Sequence, residues 1–318
     1  MALRRLTIVE KKMASDSEYA KEYCEKIEEY LEKGYARILS EEEASKRSNK
    51  TFYLPHFGVK NPNKNKFRFV FDAAAEIEDI SLNKALLAGP DLNQPLLKVL
   101  FKFRQAPIAV CGDLKEMFHQ VSIISNDQDA LRFLWRNGDT SQPPKTYVMQ
   151  RMIFGATCSP TTAQFVKNCN AKDFMQEFPR AAAGIIEKHY VDDYVDCFDS
   201  EEEAIQTVKD VKFIHEAGGF KMHNLLTNSQ VVSKALCISN DKEIDVVTDN
   251  IERILGMHWK SHSDLFVFVL KFHKVPKDIL DLKAVPTKRQ FLSVAMSIFD
   301  TFGFVADFMI VIKILMQE

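Results

Sequence analysis

The six cysteines, Cys24, Cys111, Cys158, Cys169, Cys197 and Cys237, form no C-x-x-C pair and have no histidine at zinc-finger spacing. Neither a disulfide framework nor a structural zinc is suggested, and a reducing compartment fits. Residues 1 to 20 lack the apolar core of a secretory signal. The longest greasy stretch, Gly303 to Met316, is interrupted by Asp307 and Lys313; a bilayer span needs roughly 20 apolar residues. No charge sign dominates either. Lys+Arg 42 against Asp+Glu 44 leaves a formal net charge of -2, which gives no global signal for a polyanionic partner. There is no internal repeat and no low-complexity segment. The expectation is a soluble intracellular protein, cytoplasmic or nuclear, with no membrane partner.

With 46% hydrophobic residues over 318 positions, the chain can build two or three packed units. Charge is uneven along it. Lys46, Arg47, Lys50, Lys60, Lys64, Lys66 and Arg68 occur with no acid among them, beside a Glu-rich stretch from 15 to 43. Tyr19, Tyr23, Ile27, Tyr30 and Leu31 at helical spacing predict an amphipathic helix over 16–33, ended by Gly34. The pieces around Pro55, Gly58 and Asn61-Pro62-Asn63 predict a hairpin over 52–71 with Phe67, Phe69 and Phe71 on one side. Further on, the pattern predicts a helix over 95–105 and a strand from Ile108 into Asp113. Two strands follow, at 130–135 and 146–153, then a helix opened by Pro160. A strand, tight turn and strand over 185–198 precede a helix over 201–217 stopped by Gly218-Gly219. Helices on one face of a small antiparallel sheet make an α+β class.

The sharpest local feature is Tyr190-Val191-Asp192-Asp193-Tyr194-Val195, two adjacent carboxylates between β-branched and aromatic neighbours. An Asp pair is common in exposed turns. At a hairpin tip, however, both can approach one cation, and magnesium takes a few carboxylates plus substrate phosphates. A third acid, Asp113, ends the apolar strand Ile108-Ala109-Val110-Cys111-Gly112. Asp113, Asp192 and Asp193 together are suited to two metals roughly 3.5 to 4 Å apart, one activating a 3′-hydroxyl and one steadying pyrophosphate. Catalysis would then come from positioning and charge neutralisation.

A strand ending in Asp with an aromatic five residues later, then Phe154-Gly155 and Ser159-Pro160 opening a helix, then Tyr190-Val191-Asp192-Asp193, resembles the ordered motifs of reverse transcriptases. The intervening wording looks like the BEL/Pao branch of long-terminal-repeat retrotransposons; it includes Phe71-Asp72-Ala73, Ser81-Leu82-Asn83, Met117-Phe118-His119-Gln120-Val121 and Phe154-Gly155-Ala156-Thr157. The resemblance runs from about Leu3 to Gln317 and implies a right-hand-like polymerase. It would have a helical brace over 1–45, fingers and palm over 46–240, and a primer-grip and helical thumb-like start of the segment labelled Pao retrotransposon peptidase over 241–318. The chain is expected to be a polyprotein fragment.

Carried residue by residue, the resemblance makes Asp113, Asp192 and Asp193 ligands of two Mg2+ ions, with Mn2+ as a substitute. Phe118 takes the steric-gate position that excludes a ribose 2′-hydroxyl. Arg68 and, more weakly, Lys66 would meet the incoming triphosphate, where a guanidinium fork suits phosphate oxygens. Gly155 would shape the nucleotide floor. The partners implied are RNA or DNA template with primer and deoxynucleoside triphosphates, in the cytoplasm within a retroelement particle or in the nucleus. Each residue has a plainer reading: Phe118 as core, Arg68 as surface, Gly155 as an ordinary turn.

The chain departs from the family pattern at two places. Phe154 stands where many members have Gln, and Asn224 stands where the family usually offers a Lys that protonates pyrophosphate; Lys221 or His223 are nearby substitutes. Ile254 to Trp259 resembles the primer grip, although Trp259 reads equally as core. No Asp-Thr-Gly or Asp-Ser-Gly triplet supports proteolysis, and no ribonuclease H or integrase constellation is visible. The alternative to an RNA-directed DNA polymerase is a retroelement remnant that binds nucleic acid without copying it. An RNA-templated RNA polymerase fits less well, because Phe118 would block the 2′-hydroxyl such an enzyme must admit.

Overall fold

The computed structural model describes residues 1–61, 66–238, 251–269, 272 and 275–317, with Asn61, Lys66, Ile251 and Glu252 described by backbone alone. It divides into two units interleaved in sequence: Met1–Asn93, Lys115–Asn170 and Gly218–Phe220 form one, and Gln94–Leu114, Ala171–Ala217 and Lys221–Glu318 the other.

The first unit is built on aromatic packing. Asp16 separates the helices Ala2–Ser15 and Ser17–Glu32, its carboxylate accepting from the Tyr19 amide at 2.9 Å and so capping the second. That helix buries Tyr19, Tyr23, Ile27 and Tyr30, spaced by three or four residues onto one face. Against it lies the hairpin His56–Asn61 with Lys66–Phe71, which presents Phe69 and Phe71 inward and Arg68 outward by strand alternation. The sheet Ala36–Ile38, Lys145–Met149, Arg132–Trp135 closes the core with Phe133 and Trp135. Gly34, at φ +65°, ends the second helix as expected. The first helix was not anticipated as a separate element; its buried Leu6, Val9 and Met13 carry the same spacing signal.

The second unit is a four-stranded antiparallel sheet in the order His189–Tyr190, Asp193–Phe198, Ile108–Leu114, Met222–Thr227. Both faces are covered. Val110, Tyr194 and Phe198 pack on the helices Pro179–Glu187 and Glu201–Ala217. Ala109, Cys111 and Val195 pack on Val99 and Phe103 of the helix Leu96–Phe103, and on Ile254 and Trp259. The strand expected from residue 185 is a correction: Ile185 and Ile186 end the helix Pro179–Glu187, leaving only His189–Tyr190 extended. Proline at the first helical position and the run Ala181-Ala182-Ala183 favour helix over the β-branched pair that follows.

Beyond the sheet, Ile251–Ile254, Met257–Lys260 and Leu265–Val267 form a three-stranded meander. Trp259 is fully buried, its indole donating to Asp264 at 3.0 Å, so its role is core. Two helices follow, Lys288–Ala295, started by a Thr287/Gln290 capping box, and Ala306–Gln317. No helix among the described residues is long and apolar enough to cross a membrane, and all six cysteines are free thiols.

Candidate active site

Strand alternation places the acids. Along Ile108–Leu114, residues 109, 111 and 113 share a face; along Asp193–Phe198, residues 193, 195 and 197 share the same one. Asp113 and Asp193 are therefore cross-strand partners on one face. The Leu114 amide donates to the Asp192 carbonyl at 2.9 Å, which makes Asp113 and Asp193 a non-hydrogen-bonded pair, the arrangement in which side chains approach most closely. Two like charges so placed oppose folding.

Asp192 occupies the two-residue turn between the strands. The turn is strained: Val191, its first residue, has φ +57°, a conformation that glycine adopts freely and a β-branched side chain resists. Asp192 is exposed and Asp193 half-buried. Burial, then the charges of Asp192 and Asp113, push the Asp193 carboxyl up to about 7. Asp192 is also raised, by burial and by Asp113.

The fourth acid of this stretch, Asp196, faces the other way. It is fully buried and holds Arg180 at 2.9 Å and Lys188 at 3.1 Å, with the Tyr194 hydroxyl donating to it at 3.0 Å. Its task is structural. On the other edge of the sheet, Asn224 Nδ2 donates to Asp113 Oδ1 at 2.8 Å. The sequence marked Asn224 only as a departure; an αL-tolerant Asn inside Met222–Thr227 was the available signal for a local irregularity.

The donor chemistry suits a hard divalent cation: three carboxylates, two of them raised by burial and then by their neighbours' charge, form a cluster that a cation would relieve. Among the described residues, no three His, Cys, Asp or Glu side chains converge in an arrangement ready to hold a metal.

The remaining candidates lie in the first unit. Phe118, in the 3-10 turn Met117–Gln120, is half-buried with its ring centroid 4.7 Å from that of Phe154. His119 beneath is buried and fixed between the Tyr30 hydroxyl at 2.9 Å and the Met152 carbonyl at 2.8 Å. Phe154 is 46% exposed, so the two rings make an aromatic ledge that the sequence did not predict. Gly155 has φ +106°, and a Cβ there would stand 2.7 Å from the Phe71 carbonyl oxygen; the close approach is to the protein's own backbone. Asn83 pins this loop, donating to the Gly155 carbonyl at 3.0 Å and accepting from the Thr157 amide at 2.9 Å.

Arg68 is exposed on the hairpin. The Lys66 side chain, like Lys64, lies outside the described residues. The basic run is partly neutralised: Lys46 pairs with Glu42, Lys50 with Asp127, and Lys60 with Glu18 at 2.9 Å. These exposed pairs are worth little individually, but they reduce the basic face expected from sequence.

Comparison with known proteins finds that residues 59–225, just over half of the chain, match the family model described as reverse transcriptase (RNA-dependent DNA polymerase). No curated protein matches. Among solved structures, the chain is similar to the foamy viral protease-reverse transcriptase in complex with double-stranded DNA, with 16% identity, a TM-score of 0.53, 84% of this chain covered and 38% of the other. The native prototype foamy virus protease-reverse transcriptase and a selenomethionine-labelled mutant of it give 21% and 20% identity, with TM-scores of 0.45 and 0.48 over 62% and 65% of this chain and 22% and 24% of theirs. The chain thus spans well under half the length of the structures it matches. The likeness at TM-score 0.53 carries the fold; these identities reach no further.

Proposed function

The chain belongs to the reverse transcriptase (RNA-dependent DNA polymerase) family, and from that premise we propose that it is the fingers-and-palm core of an RNA-directed DNA polymerase from a BEL/Pao-type retrotransposon. The observation that carries the reading is the Asp113–Asp193 cross-strand pair beside Asp192, an arrangement that opposes folding and calls for a function to retain it. In this reading the sheet of the second unit is the palm, and the hairpin His56–Asn61 with Lys66–Phe71 belongs to the fingers.

Mg2+, or Mn2+ in its place, is the proposed cofactor; bound there, it would lower the proton affinity of a primer 3′-hydroxyl and neutralise charge on the leaving pyrophosphate. Asp113, Asp192 and Asp193 would hold it. Arg68 binds triphosphate oxygens through its guanidinium fork. Phe118 excludes a ribose 2′-hydroxyl, and Phe154 supports that ring from the side. Gly155 keeps the loop before the helix Ser159–Asp173 in place against Phe71. Substrates are a primed RNA or DNA template and deoxynucleoside triphosphates, in the cytoplasm, in a particle or in the nucleus.

The test is extension of oligo(dT) on poly(rA) by the purified chain, with magnesium and with chelator. Chelator-sensitive extension that is lost in Asp192→Asn is expected. Extension that persists in Asp192→Asn refutes the carboxylate assignment, and intact primer-template binding without extension favours a binding remnant.

A further inference from the structure

The edge strand Met222–Thr227 does not run in register with its neighbour. Cys111 lies opposite Leu226, but Asp113 lies opposite His223, so the edge strand accommodates one extra residue within this short interval. This is a β-bulge, a feature that re-aims side chains and recurs beside active sites. Asn224 sits in it at φ +48°, a left-handed conformation that Asn tolerates better than most residues with a Cβ. Across from the bulge stands Gly112, where a Cβ would meet Leu225 Cδ2 at 2.8 Å and the His223 carbonyl at 3.2 Å. Gly112 gives the bulge room. The irregularity turns the Asn224 amide onto Asp113, with Nδ2 2.8 Å from Oδ1.

We propose that Asn224 is a positioning residue for Asp113, setting the affinity of the carboxylate cluster for a divalent cation. The inference rests on the polymerase reading above. A carboxylate with one oxygen held by a donor has lost the freedom to rotate, and presents its other oxygen in a fixed direction. Outer partners of this kind orient the groups that bind a metal. The amide does so without charge; an ammonium group at the same place would repel the cation that Asp113 is there to hold. Asn224 therefore orients a ligand, and its amide offers a leaving pyrophosphate no acidic proton from this position.

The test uses the full chain and Asn224→Gly, which keeps the left-handed backbone and removes only the amide. Mn2+ binding is titrated by electron paramagnetic resonance without nucleic acid, alongside the Mg2+ dependence of primer extension. The Mn2+ dissociation constant and the Mg2+ concentration for half-maximal rate are both expected to rise roughly tenfold, with the plateau rate at saturating Mg2+ retained. Asn224→Ala, strained at this φ, must show the same loss of affinity should the glycine variant fail to fold. Affinity unchanged in a folded variant, with a wild type that binds Mn2+ and extends primers, overturns this inference alone. A wild type that takes up no Mn2+ removes the polymerase reading and the inference with it.

Discussion

Asp193→Asn should make the metal-free protein more stable while abolishing polymerisation. Asp193 faces Asp113 in a non-hydrogen-bonded pair, and its carboxyl is raised to about 7. The gap from the ordinary value of about 4 corresponds to roughly 4 kcal/mol as an upper bound. Coulomb's law for two charges about 5 Å apart at an effective dielectric of about 20 gives roughly 3 kcal/mol. Because Asp193 is half-buried and solvent screens the pair, about 1–2 kcal/mol is the working figure. The sign follows from the raised value: the folded state binds the proton more tightly than the unfolded one. Wild-type stability therefore falls as pH rises from about 4 to about 7, then levels off with the full penalty present. In chelator, urea unfolding of wild type and variant should give similar stabilities near pH 4.5, with the variant ahead by the working figure near pH 8. Added Mg2+ should stabilise the wild type and leave the variant unmoved. A variant less stable than wild type at pH 8 in chelator would refute the claim that this pair is a folding liability kept for a cation.

Phe118→Val should raise ribonucleotide incorporation by about tenfold or more, since it removes the ring proposed as the gate, and Phe154→Leu should do so less, by loosening its neighbour; unchanged sugar selectivity in both means the ledge is only packing. Arg68→Ala should raise the KM for deoxynucleoside triphosphate about tenfold, on the scale of a lost charge-assisted contact, read from steady-state incorporation at constant primer-template. Asp196→Ala should cost about 2–3 kcal/mol in denaturant unfolding, because it takes the buried acceptor from Lys188 and the Tyr194 hydroxyl while Arg180 keeps Glu203; a loss under about 1 kcal/mol would mean the network is solvated. Val191→Gly should stabilise the fold by roughly 0.5–1 kcal/mol by relieving the left-handed turn, visible as a higher urea midpoint, whereas a lower midpoint would show that the valine side chain is wanted there.

What could be read from the sequence was mostly local. The helix of Tyr19, Tyr23, Ile27 and Tyr30, the hairpin of His56–Asn61 with Lys66–Phe71, the strand into Asp113 and the carboxylate turn follow from periodicity and turn chemistry. Ile185 and Ile186 misled because β-branched residues suit either a strand or the end of an alanine-rich helix, and the preceding proline decided the matter. The face shared by Asp113 and Asp193 depends on cross-strand register, which no spacing along one chain reveals. The Asn224 bulge and the Phe118–Phe154 contact belong to the same class: both join residues whose distance in sequence hides their adjacency. The acids that neutralise Lys46, Lys50 and Lys60 were in plain view in the sequence, but their pairing depends on the fold.

Gly155 carries a warning for mutagenesis. A Cβ there would stand 2.7 Å from the Phe71 carbonyl oxygen, so any side chain wedges the loop off the strand Lys66–Phe71 before a nucleotide is involved. An inactive Gly155→Ala enzyme would look like a lost substrate contact while being a misassembled scaffold. Screens for drug resistance or altered fidelity in such a chain should find this position silent, because variants that fail to assemble never reach the selection.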